Sequence, residues 1–153
     1  LKQLGLGLAL GLVFLVATLG LTRPGVTTQT TSALAGLQSL KALVAEATPY
    51  QTAIATSKPI LLEFYADWCA TCRETAPALT VLHDTYGDRV AFVMLDVDDP
   101  SWQSLQQQYQ VRGVPHLVLL NAEHKAYQTF TGQVPRSLLA QSLDQGLISA
   151  VDL

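Results

Sequence analysis

The chain has 153 residues, 49% of them hydrophobic and only 14% charged, with a formal net charge of -3. With one apolar N-terminal segment set aside, about 120 residues remain, the size of a single domain with its own core. The slight acidity and the lack of a basic stripe exclude nucleic acid as a natural partner, and two cysteines are too few for a disulfide-built scaffold, so the fold must stand on packing.

Leu4 to Leu21 is a run of eighteen residues without a charge, flanked by Lys2 and Arg23. As a helix it spans ~27 Å, close to the thickness of a bilayer core. A cleaved signal peptide usually has a shorter apolar region, ~7–15 residues, followed by an A-x-A-like site. Val16-Ala17-Thr18 is a poor match to that site. Residues 1–21 are therefore expected to be an uncleaved anchor in the lipid bilayer. The chain opens on Leu rather than Met, so upstream residues are expected. Charge balance across the segment therefore does not set its orientation.

Residues 22–46 are expected to be a linker and N-terminal extension, with the domain itself over 47–153. Thr22 to Ser32 is Thr-rich, has Pro24 and Gly25 near its start, and should tether loosely. In Ala33 to Ala47 two patterns compete. Leu34, Leu37, Lys41 and Val44 suit a helical stripe, while Leu40, Ala42 and Val44 alternate like an edge strand. Thr48-Pro49-Tyr50-Gln51 reads as a helix start with Thr48 as cap and Gln51 closing a capping box.

The pattern then predicts strand 60–65, helix 70–86, strand 90–96, helix 102–109, strand 116–120, strand 126–131, and a last helix from Pro135 to about Gly146. Pro77 should kink the second helix, and Gln106-Gln107-Gln108 reads as a solvated face. The first three strands are expected to pair in parallel through crossover helices, and the last two antiparallel through a short loop. The fold class is α/β, a central mixed sheet with helices on both faces.

The chain's two cysteines, Cys69 and Cys72, lie in Trp68-Cys69-Ala70-Thr71-Cys72, where a strand gives way to a helix. A free helix N-terminus stabilises a thiolate and lowers a thiol pKa below ~8.5. Cys69 is expected to be exposed and nucleophilic, with Cys72 resolving the mixed disulfide it forms. Zinc would require more ligands, and His83, His116 and His124 are scattered. A structural disulfide across so short a loop removes little chain entropy, and a buried, inert thiol pair is the third bland alternative. No metal and no cofactor are expected.

Glu63 lies inside an apolar strand, so it either faces solvent or has a task; turned inward, it could accept the Cys72 proton. In Gly113-Val114-Pro115-His116, proline at a strand start can hold a cis bond or be an ordinary trans residue. His116 either tunes the thiolate or sits in the loop. Trp68 is a candidate for the site rim, Trp102 for the core or a helix face.

Trp-Cys-x-x-Cys with Pro77, the Gly113-Val114-Pro115 loop and Gly132 in order resembles the thioredoxin family over about residues 47–147. The resemblance implies a thioredoxin fold, nucleophilic Cys69, resolving Cys72, and a cis Pro115 facing them. Trp68, Val114, Pro115 and His116 would meet the substrate. Glu63 would stand where the family keeps a buried Asp. Ala70-Thr71 departs from the Gly-Pro of cytosolic members, and Met94 stands where they carry a Lys.

Glu63 to Cys69, Phe92 to Asp98 and Val114-Pro115-His116 are similar to membrane-tethered members, the TxlA-like proteins of cyanobacteria and the thylakoid-lumen type. Tyr65 to Cys69 also resembles the C-terminal thioredoxin-like domain of DsbD. These similarities imply an enzyme, a protein-disulfide reductase facing the thylakoid lumen or periplasm. Its clients would be disulfide-containing proteins such as apocytochromes c, in support of cytochrome b6f assembly. Leu4 to Leu21 holds no Cys, so electrons must come from a separate membrane donor, which the resemblance implies is of the CcdA type. A disulfide-forming oxidase or isomerase, and a non-catalytic assembly factor that binds clients through the Pro115 loop, are the alternatives.

Overall fold

The structure, a computed structural model, describes residues 27–149, with side chains from Ser32 to Ile148. Ser32 onward forms one folded unit. Its elements are α1 (Thr27–Glu46), α2 (Tyr50–Ile54), β1 (Ile60–Tyr65), α3 (Ala70–Tyr86), β2 (Ala91–Asp96), a 3-10 turn (Pro100–Trp102) leading into α4 (Gln103–Gln108), β3 (His116–Leu120), β4 (Ala126–Thr131) and α5 (Arg136–Ser149). Among the described residues no helix is long and apolar enough to cross a membrane. The expected anchor, Leu4 to Leu21, lies outside them.

The four strands form one mixed sheet in the order β2-β1-β3-β4. All six residues of β1 are buried, as an apolar run in the middle of a sheet covered on both faces requires. Period-two alternation divides them. Leu61 and Tyr65 join the core cluster under α1, α3 and α5, while Ile60, Leu62 and Phe64 join the cluster under α2 and α4.

β1 pairs with β2 in parallel, but β3 runs antiparallel to β1, against the expected parallel arrangement. The helical part of the connection is short: α4 has six residues, about 9 Å, less than half the length of a strand of about 20 Å. The chain enters β3 at the C-terminal end of β1, with His116 opposite Phe64. From there the short loop gives the expected antiparallel β3–β4 pair.

The N-terminal part departs from the sequence pattern in three ways. Helix wins over strand in 33–46, and it begins at Thr27, taking in half of the stretch expected to tether loosely. Its inward stripe is Gly36, Leu40 and Leu43, whereas Leu34 and Val44 are exposed. A small residue admitted to the stripe shifts the face by one position, which hydrophobicity alone does not register. The capping box does not form: Pro49 occupies the N-cap of α2, and the Thr48 N–H donates instead to the Phe92 carbonyl at the edge of β2, 2.8 Å away.

Trp102 packs as expected against the second cluster, edge-on to Tyr50. Gln106 is more than a solvated residue, because its amide donates to the Val97 carbonyl at 3.0 Å and ties α4 to the turn after β2. α3 continues through Pro77 for its full 17 residues.

Candidate active site

β1 delivers the chain to the site. After Tyr65 a tight turn, closed by Cys69 N–H to the Ala66 carbonyl at 3.1 Å, sets Cys69 at the N-cap of α3 in extended conformation. The first turn of α3 carries no acidic residue to oppose the positive end of the helix dipole. The Cys72 N–H donates to Cys69 Sγ at 3.0 Å, so one of the helix's otherwise unpaired donors is aimed at that sulfur.

The two cysteines are joined as a disulfide with Cα atoms 5.3 Å apart. Cys72 is fully buried and Cys69 is 5% exposed, less open than its expected exposed position. The outer sulfur is thus the one a partner meets. Thiol and disulfide states differ only by two electrons and two protons, so this turn can exchange disulfides without refolding.

Glu63 lies on the same face of β1 as Leu61 and Tyr65, the face that carries Cys72. It is 0% exposed, and neither carboxylate oxygen has a hydrogen-bond partner. Its cross-strand neighbours are Met94 in β2 and Leu117 in β3, neither of which offers a charge. Burial pushes its carboxyl from 4.5 up to about 8. The solvent-facing alternative is excluded, since β1 is an inner strand and alternation turns Glu63 inward.

The Val114–Pro115 peptide is cis. The Pro115 carbonyl accepts from Gly132 N–H at 2.8 Å, and Gly132 holds φ +81°, a left-handed conformation that only glycine adopts cheaply. Val114 packs against the cluster containing both cysteines. Trp68 is 64% exposed, and its indole N–H donates to Asp98 Oδ2 at 2.8 Å. Trp68, Val97, Val111 and Gly113-Val114 line a groove of about 420 Å³, with Arg112 and Gln106 as its polar members.

His116 does not join this group. In β3 it alternates with Leu117, so it faces the opposite side of the sheet from Glu63, edge-on to Phe64 with ring centroids 6.0 Å apart. Its Nδ1 lies 3.1 Å from Thr131 Oγ1. Burial lowers its pKa, partly opposed by the Tyr109 backbone. The expected tuning of the thiolate by His116 therefore has no geometric support.

Sequence reasoning missed Asp98, Gln106 and Arg112. Asp98 belongs to the polar turn Asp96-Val97-Asp98-Asp99, whose acidity was a usable signal beside an exposed Trp; the other two carried none. Among the described residues no group of three or more His, Cys, Asp or Glu is placed to hold a metal ion.

A Cys-x-x-Cys disulfide at a helix start, with the exposed Trp68 of the same turn lining a groove, is the arrangement of the thiol-disulfide oxidoreductases. The thioredoxin family profile matches residues 41–145, and this chain belongs to the thioredoxin family. It is 44% identical over 106 residues to the thiol:disulfide interchange protein TxlA of Synechococcus elongatus, covering 69% of this chain and 56% of that one. The chloroplastic thioredoxin-like protein HCF164 of Arabidopsis thaliana is 41% identical over 106 residues, covering 69% of this chain and 41% of that one. The chain thus spans about half the length of these curated relatives. Thioredoxin 1 of Synechococcus elongatus is 34% identical and is covered over 99% of its length. Among solved structures, a mutant thioredoxin of Halobacterium salinarum superposes with a TM-score of 0.54 at 29% identity, over 61% of this chain and 80% of that one.

Proposed function

We propose that this oxidoreductase works as a membrane-tethered reductant of protein disulfides on the lumenal side of a thylakoid membrane. Residues 1–21 would be its anchor and apocytochromes c its clients. The observation that carries the disulfide-exchange chemistry is Glu63, a buried carboxyl without a hydrogen-bond partner on the face of the sheet that holds Cys72, while the reductive direction rests on the family resemblance. Reduction ends by deprotonating a buried thiol. Burial pushes the Glu63 carboxyl up to about 8, so that once ionised it is a stronger base than an ordinary carboxylate.

The Cys69 thiolate attacks one sulfur of the client disulfide. The client S–S bond breaks, a Cys69–client disulfide forms, and the departing client sulfur leaves as a thiolate. Glu63 takes the proton from the Cys72 thiol. The Cys72 thiolate then attacks Cys69 Sγ, the mixed disulfide breaks, and the second client thiolate leaves. Two electrons have passed to the client and the pair is oxidised. Trp68 and Val114 hold the client along the groove while this happens, beside the cis Pro115.

Similarity to the thiol:disulfide interchange protein TxlA and to the chloroplastic HCF164 supports disulfide exchange in a thylakoid setting. The apocytochrome clients and a CcdA-type membrane donor that re-reduces the pair rest on the resemblance to membrane-tethered members of the family. The test is capture. Cys72→Ser expressed in thylakoids should accumulate mixed disulfides with apocytochromes at their haem-attachment cysteines. Capture only of other proteins would withdraw the cytochrome reading. Retained cytochrome assembly in a Cys69→Ser, Cys72→Ser double variant would instead establish the non-catalytic binding role.

A further inference from the structure

Gly36 is buried in the middle of α1, where glycine costs a helix about 1 kcal/mol relative to alanine. A close approach explains its presence. A Cβ built on Gly36 would lie 2.5 Å from the Arg73 carbonyl oxygen, 3.1 Å from its carbon and 3.4 Å from Arg73 Cβ. Any side chain would push α1 off the backbone of α3.

The carbonyl it meets is a special one. In an α-helix the Arg73 carbonyl would accept from the N–H of residue 77. Residue 77 is Pro77, which has no N–H and whose ring crowds the carbonyl four residues back. The oxygen that Pro77 releases from the helical ladder is the oxygen that Gly36 covers.

Arg73 directly follows Cys72. Its own N–H donates to the Cys69 carbonyl at 3.3 Å, beside the Cys72 N–H that donates to Cys69 Sγ. The first turn of α3 is therefore held from within by Cys69 and from outside by α1. α1 in turn is fixed by Leu40 and Leu43, which sit in the same core cluster as both cysteines. Gly36 lies before the segment matched by the family profile, which starts at residue 41.

We propose that Gly36 is a positioning residue for disulfide exchange: α1 clamps the Arg73 carbonyl and so sets how the Cys72 N–H meets the Cys69 sulfur. Displacing the carbonyl shifts the Arg73–Glu74 peptide and with it the first turn of α3, which weakens the hydrogen bond from the Cys72 N–H that stabilises the Cys69 thiolate. The reduced form then loses stability relative to the disulfide. α1 thereby acts on the redox pair through the backbone of α3.

The test is the redox equilibrium of the full chain carrying Gly36→Ala with dithiothreitol, together with thiolate titration of Cys69. The reduced form should lose roughly three- to tenfold in that equilibrium, up to about 30 mV for a two-electron couple. The Cys69 titration should move to higher pH. Ile60→Val, in the cluster on the other face of the sheet, controls for lost stability and should leave both readouts in place. An unchanged potential in folded Gly36→Ala, or an equal shift in Ile60→Val, overturns the proposal. Should Gly36→Ala fail to fold, the wild type decides. Coupling is reciprocal, so amide exchange around Gly36 must differ between oxidised and reduced chains, and identical exchange in the two states overturns the proposal.

Discussion

Replacing Glu63 by Gln removes a buried carboxyl from the face of the sheet under α1, α3 and α5, and its effect on stability has a defined pH signature. Below pH 4.5 the carboxyl is protonated in both folded and unfolded chains and adds no pH dependence. Between 4.5 and about 8 the unfolded chain ionises while the folded one keeps its proton, so stability falls as pH rises. Above about 8 the whole cost is present. At about 1.4 kcal/mol per pH unit, the interval from 4.5 to about 8 corresponds to a loss on the order of 4–5 kcal/mol. Gln is neutral throughout, so Glu63→Gln should match or fall slightly below wild type at pH 4.5 and exceed it by several kcal/mol at pH 8. Urea unfolding of both oxidised proteins across this range measures the difference directly. Parallel pH profiles would refute the reasoning, because they would mean that the Glu63 carboxylate is solvated in the folded chain.

The same substitution should slow disulfide reduction by at least about tenfold above about pH 8, where the folded carboxyl is ionised, and by less at lower pH, read by stopped-flow with a disulfide substrate, since general-base contributions run ~10²–10⁴. Cys72→Ser should accumulate a mixed disulfide with a model client on non-reducing gels, whereas Cys69→Ser should form none. Asp98→Ala should free the Trp68 indole and raise KM for a protein substrate severalfold with kcat little changed, matching a hydrogen bond worth ~1 kcal/mol. Asp98→Asn, which keeps an acceptor, should restore the KM. Gly132→Ala should cost about 1–2 kcal/mol in urea unfolding, purely from its φ of +81°, since nothing lies within 4 Å of an added Cβ.

Much of the site was legible in the sequence because its chemistry is local. Trp68 to Cys72 lie within five residues of one another, and a strand running into a helix fixes where such a turn must sit. The inward direction of Glu63 was open, because period-two alternation gives two faces and does not say which strand will be central. His116 was left open between two roles for the same reason: one residue beyond Pro115, alternation sends it to the face opposite Glu63. The direction of β3 lay outside the pattern, which places strands and helices without saying at which end of β1 the chain enters β3. Gly36 gave no signal, since its meaning lies in a carbonyl 37 residues away that Pro77 leaves without its helical donor.

The reduction potential of the Cys69–Cys72 pair tests the central claim most directly. A reductant fed from a membrane donor should equilibrate near or below the ~-270 mV of thioredoxin. A value near the ~-120 mV of DsbA would make the protein a disulfide-forming oxidant and contradict the reductive assignment.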